Sequence, residues 1–175
     1  VGVVDPDLGL QGSDLRAAER TFQLLRQVSG RAGRNDKRGT AYLQTYQPQH
    51  PVIEAITNGQ DEQFWIAEAK GRELAEMPPF GRLVGIIISA QNSEDAFEIG
   101  YKLSKKATIL SSAGITLYGP APAPIARVRG RYRVRILLKA SKAVSMQSVI
   151  KLWLSGLNLS KDIRLVIDVD PQSFL

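Results

Sequence analysis

Cysteine is absent from the 175 residues. That excludes disulfides and cysteine-type zinc sites in this sequence, and it fits a reducing, cytoplasmic setting. Long hydrophobic runs are also missing: none approaches the ~18 residues of a membrane span. The apolar residues 1–4 are too few, and lack the basic flank, for a secretory signal, so none is expected. No G-x-x-x-x-G-K-S/T phosphate loop and no D-E-x-H-like metal motif occurs, so this chain alone is predicted not to hydrolyse a nucleoside triphosphate. Histidine occurs once, as His50 beside Pro51, with no serine or cysteine elbow nearby. A helix cap or a loop residue is the expected role there, not catalysis.

What is present is ample apolar material and an excess of positive charge. Hydrophobic residues make up 43% of the chain, enough for one or two buried cores. Lysine and arginine number 23 against 17 acids, a net charge of +6, which favours an anionic partner. The chain opens in what reads as the middle of a strand, so it is expected to be the C-terminal part of a longer protein. Residues 1–4 predict a buried strand, 5–7 an acidic turn and 8–12 a loop. Ser13 or Asp14 can then cap a helix with Leu15, Ala18, Phe22 and Leu25 on one stripe. A polar turn at 35–39, a strand at 40–46 and a short helix at 52–58 follow. Residues 61–76 predict a helix with Phe64, Ala67, Gly71 and Leu74 on one side, and Trp65 is read as packing rather than nucleic-acid stacking. Met77-Pro78-Pro79-Phe80-Gly81 cannot continue it.

Two domains are therefore expected, 1–60 and 61–175, with the boundary drawn from a break somewhere within 59–81. From Arg82 the predicted order is strand (83–90), helix, strand (115–118), a stiff proline loop (119–124), a hairpin of 125–128 and 132–139 around Arg129-Gly130, helix, and strand (163–169). This βαββαβ order matches the ferredoxin-like plan, with the helices on one sheet face and the other face open. Arg127, Arg129, Arg131, Arg133, Arg135 and Lys139 place six of the 23 basic residues between positions 127 and 139. Alternation by two puts Arg131, Arg133 and Arg135 on one strand face and Tyr132, Val134 and Ile136 on the other. Such a stripe suits DNA phosphates; a solvated edge strand that uses charge against aggregation is the plain alternative. A tight turn at Arg129-Gly130 would send Arg127 to the face of Tyr132, away from the stripe.

The most specific stretch is Gln27-Val28-Ser29-Gly30-Arg31-Ala32-Gly33-Arg34, which reads Q-x-x-G-R-x-G-R after an amphipathic helix. Its paired guanidinium forks suit phosphate oxygens, and it resembles motif VI of superfamily 2 helicases. With the preceding D-L-R-A-A-E-R-T-F-Q-L-L block it resembles the PriA family of replication-restart helicases. The likeness continues through residues 39–45, His50-Pro51, Met77-Pro78-Pro79-Phe80 and the terminal L-V-I-D-V-D-P, and so covers essentially the whole chain.

The resemblance implies the end of a RecA-like helicase lobe followed by the C-terminal domain of an ATP-dependent 3′-to-5′ DNA helicase. Such a protein recognises stalled forks and restarts replication by primosome assembly. It further implies that Gln27, Gly30, Arg31 and Arg34 meet ATP, with Arg34 the arginine finger and Arg31 on the same phosphate. ATP with magnesium, and zinc held upstream, would be cofactors of the full-length protein. Forked or single-stranded DNA, primosome proteins and the acidic tail of single-stranded DNA-binding protein are the implied partners, the tail near Lys142 and Gln147. Asp14, Arg16 and Glu19 match the family's block but take no individual role. A non-catalytic nucleic-acid-binding module, with G-R-A-G-R only a binding turn, is the alternative; a phosphate loop and a cysteine cluster upstream of Val1 would separate the two.

Overall fold

In the computed structural model, which describes residues 1–11, 14–32 and 39–171, the opening apolar run forms β1 (Gly2–Val4). It pairs in parallel with β2 (Tyr42–Gln44). The strand expected over 40–46 is shorter because its end turns onto a buried acid. Asp7 Oδ1 accepts the Thr45 hydroxyl at 2.5 Å and Oδ2 accepts the Tyr46 N–H at 2.8 Å. The expected loop after the strand is in part a 3-10 turn, Pro6–Gly9.

Helix α1 (Ala17–Gly30) starts later than the stripe suggests. Asp14 Oδ1 accepts the Arg16 N–H at 3.0 Å and Oδ2 takes the Arg20 guanidinium at 2.5 Å, so the chain turns at Asp14 and leaves Leu15 outside the helix, 40% exposed. Ser13, the alternative cap, lies outside the described residues. Helix α2 (Pro51–Asn58) is capped by His50, whose Nδ1 accepts the Val52 N–H at 3.2 Å. Gly59 ends it at φ +66°, a conformation that glycine adopts without steric cost. Phe22 and Leu25 of α1 pack with Val52, Ile53, Ala55 and Phe64.

Helix α3 (Asp61–Leu74) stacks Phe64 on Phe22 with ring centroids 4.2 Å apart. Trp65 sits edge-on to Phe22 at 5.4 Å and to Phe64 at 5.1 Å, which is packing. The remainder of the expected stripe, Ala67, Gly71 and Leu74, is exposed. Ala67 and Gly71 carry too little apolar area to hold a helix face down. The described chain divides into two units, Val1–Gly71 and Arg72–Leu175, so the division falls within α3, which begins at the expected 60/61 junction.

In the second unit the continuous apolar run becomes β3 (Gly81–Ala90), flanked on both sides in a four-stranded antiparallel sheet of order β4-β5-β3-β6. The other strands are β4 (Thr116–Val128), β5 (Arg131–Ser141) and β6 (Arg164–Val169). With α6 (Met146–Trp153) this is a mixed α/β unit with an antiparallel sheet, consistent with the expected α+β class. The first helix is divided into α4 (Ser93–Ser104) and α5 (Ala107–Ser111). Ser104 donates its hydroxyl to the Gly100 carbonyl at 3.0 Å, a back-bond that bends helices. Asn92 caps α4, its Oδ1 accepting the Asp95 N–H at 2.9 Å. The core joins Val84, Ile86, Ile88, Val134, Ile136 and Leu138 of the sheet to Leu103, Leu110, Ile150 and Trp153 of the helices.

The expected strand–loop–strand at 115–128 is instead a single strand, β4, with irregularities between Tyr118 and Ala121 and between Pro122 and Arg127. Proline is tolerated because β4 is a sheet edge, where a missing N–H leaves no ladder partner unpaired. Gly100 lets α4 approach it: a Cβ there would lie 2.7 Å from the Pro120 Cβ. Arg129 and Gly130 take φ +49° and +79° and form the tight β4–β5 turn. Arg127 therefore pairs with Tyr132, and its guanidinium lies 5.0 Å over that ring. Among the described residues no helix is long and apolar enough to cross a membrane.

Candidate nucleic-acid interface and partner pocket

Register sets the two faces of the second unit's sheet. Val134 and Ile136 lie opposite Ile88 and Ile86 and point into the core, so Arg133, opposite Ser89, and Arg135, opposite Ile87, belong to the other face. Arg131 shares that face by alternation but is engaged differently. Its Nη2 donates to the Ser89 carbonyl at 2.8 Å and also to the Asp162 carbonyl, while its Nε is buried without a partner. The sequence pattern gave the three arginines one role, and the structure separates Arg131 from Arg133 by what its guanidinium touches. A fourth arginine was missed: Arg164 of β6 is exposed and pairs with Ser89 from the opposite side. In the sequence it is an isolated charge at the start of a strand, and only strand order reveals its neighbours.

The helix side carries a concave site. Between α6, β3 and β6 lies a cavity of about 350 Å³, lined by Val84, Met146, Ile150, Leu154, Ile167 and Val169. A second cavity of about 340 Å³ is lined by Arg82, Lys142, Val144, Ser145 and Gln147. The two share Met146, Gln147 and Val169, so an apolar hole continues into a cationic one. Lys142 and Gln147 are thus brought together, with Arg82 added, which the sequence alone did not suggest. Arg82 is held by Asp170, whose Oδ2 accepts its Nη1 at 2.7 Å and whose Oδ1 accepts the Leu83 N–H at 3.0 Å. Such a pair of cavities can seat an apolar group beside a carboxylate.

In the first unit, Gln27 and Arg31 stand one helical turn apart and exposed at the end of α1, with Gly30 between them. The turn is closed by the Arg31 N–H on the Val28 carbonyl at 3.1 Å and by the Ser29 hydroxyl on the Leu25 carbonyl at 2.6 Å. An amide and a guanidinium on one exposed helix face can meet phosphate oxygens from one side. Arg34 and the polar stretch 35–38 lie outside the described residues.

Residues 72–172 match the family described as the primosomal protein N C-terminal domain. The chain belongs to that family. The family match starts at residue 72, where the second unit starts, so the primosomal domain and the sheet with its two faces coincide. The chain is 41% identical to the replication restart protein PriA of Rickettsia felis over 174 residues, 99% of this chain and 26% of that protein. It is 35% identical to the replication restart protein PriA of Treponema pallidum, over 100% of this chain and 27% of that protein. The corresponding protein of Bacillus subtilis is 33% identical over 98% of this chain and 22% of its own length. The chain spans about a quarter of the length of these relatives.

Proposed function

We propose that the chain is the C-terminal part of an ATP-dependent 3′-to-5′ DNA helicase that acts at stalled forks and restarts replication through primosome assembly. The reading is carried by similarity along 99% of the chain to a replication restart protein. The first unit would belong to a RecA-like motor lobe, and ATP would be the substrate of the whole protein. Gln27 and Arg31 fit one side of its phosphates, and Arg34 is assigned as the finger. Among the described residues no group of His, Asp and Glu side chains could hold a metal ion. By the resemblance, magnesium would accompany ATP in the full-length protein and zinc would be held upstream.

The second unit would hold DNA on its open sheet face through the β5 arginines, binding the phosphate backbone with little sequence preference. The Arg133→Ala/Arg135→Ala double variant is expected to stay folded, because Val134 and Ile136 carry the core contacts. Its plot of log K against log salt for single-stranded DNA should flatten by roughly 1.4, about 0.7 per lost phosphate contact. A folded double variant with unchanged affinity and slope would return β5 to the role of a solvated strand.

The paired cavities would take an acidic peptide ending in an apolar residue, such as the tail of single-stranded DNA-binding protein. The apolar end suits the hole under α6, and its carboxylates suit Arg82 and Lys142. Binding is expected to be weak and loosened by salt, with amide shifts at Met146, Gln147 and Lys151. Titration of the chain with such a peptide and no shift at these residues would remove the assignment.

A further inference from the structure

We propose that the phosphate track on the open sheet face crosses the strands from Arg133 of β5 to Arg164 of β6, and that Arg131 is a positioning residue for this pair. The inference rests on the DNA reading above and names the contacts that carry it.

Ser89 is the reference point. It pairs with Arg133 on one side and with Arg164 on the other. Directly opposed residues on neighbouring strands share a face, so Arg133, Ser89 and Arg164 form one row across three strands. With strands ~4.8 Å apart, the two arginine stems start about 10 Å from each other. Among the described residues neither arginine has a carboxylate partner, unlike Arg26, which meets Asp61, and Arg82, which meets Asp170. Two unpaired guanidiniums in one row repel, and an anion between them relieves that. A single-stranded DNA backbone supplies such anions at short, flexible spacing, and the arginine fork suits their oxygens.

Arg131 is committed elsewhere. Its Nη2 is shared between the carbonyls of Ser89 and Asp162, residues 42 and 31 positions away along the chain. One guanidinium thus ties the end of β3 to the segment that leads into β6. Asp162 stands two residues before Arg164, so the clamp fixes where β6 begins and hence where Arg164 stands relative to Ser89. The Ser89 hydroxyl adds only a long contact to the Arg164 carbonyl, 3.5 Å, which leaves Arg131 as the stronger tie.

The test uses the 175-residue chain, an oligothymidylate single strand, and the salt dependence of binding with thermal melting alongside. Arg164→Gln should flatten the log K against log salt slope by about 0.7 with the melting temperature unchanged. Arg131→Lys keeps the charge, but its Nζ ends one bond short of the Nη2 that is shared between the two carbonyls. It should lower the melting temperature and flatten the slope by the same amount, by freeing Arg164. The Arg131→Lys/Arg164→Gln double variant should then flatten no further than Arg131→Lys alone. An unchanged slope in Arg164→Gln would overturn the pair, and a full slope in Arg131→Lys would overturn the positioning role of Arg131. If Arg131→Lys does not fold, Arg164→Gln, at an exposed position, and Arg133→Gln, at a half-buried one outside the core, decide the pair between them. A wild-type chain with no salt-dependent binding would instead sink the DNA reading itself.

Discussion

In the full-length protein, Arg34→Ala is expected to lower DNA-stimulated ATP hydrolysis by about two to four orders of magnitude. That is the range for removing a fixed positive group from a transferring phosphoryl. The expectation comes from the Q-x-x-G-R-x-G-R motif and from its presentation: α1 is anchored by Phe22 and Leu25 in the first core and carries Gln27 and Arg31 exposed at its end. A finger acts on charge that develops in the transition state, so nucleotide affinity should fall far less than turnover. The 175-residue chain alone, lacking a phosphate loop, should show no hydrolysis. Steady-state ATPase assays of both proteins check this. Wild-type turnover in the Arg34 variant would remove the finger assignment, and hydrolysis by the chain alone would mean a complete site exists within it.

Trp153→Ala should have the largest effect on stability. Trp153 is fully buried between sheet and helices, and its indole Nε1 donates to the Leu103 carbonyl at 3.1 Å. Truncating a buried aromatic costs about 3–5 kcal/mol, and the lost hydrogen bond adds about 1. Domains are stable by only about 5–15 kcal/mol, so the second unit should melt tens of degrees lower or fail to fold. Trp153→Phe keeps most of the bulk and loses the donor, so its drop should be much smaller. Thermal melts followed by circular dichroism separate the two. A Trp153→Ala chain that melts within a few degrees of wild type would mean that the helices are not held through this side chain.

The parts legible in the sequence were local ones. His50 as a cap and the hairpin around Arg129-Gly130 each follow from residues within a few positions. The turn in turn fixed Arg127 against Tyr132. The β-strand alternation of residues 131–136 gave the two faces correctly because the side-chain period in a strand is two. What escaped depends on partners far along the chain. Whether the prolines in 119–124 break a strand depends on whether that strand is an edge, which is a property of sheet order. Arg131 looks like Arg133 until Ser89 and Asp162 come near. Arg82 joins Lys142 only because β3 runs beside the loop after β5, and Arg164 joins Arg133 only because β3 lies between their strands. The α3 stripe failed for another reason: correct spacing of small residues does not supply the area that burial needs.

On the proposed function the second unit would hold DNA on the open sheet face and an acidic peptide under α6, at two separate sites. Amide chemical-shift mapping of the chain tests it most directly, with oligothymidylate and an acidic peptide ending in an apolar residue added separately and then together. Two disjoint sets are expected to shift: Ser89, Arg133, Arg135 and Arg164 with DNA, and Met146, Gln147, Lys151 and Val169 with the peptide. Each set should persist when the other ligand is present. A single shared set, or displacement of one ligand by the other, would contradict the two-face platform.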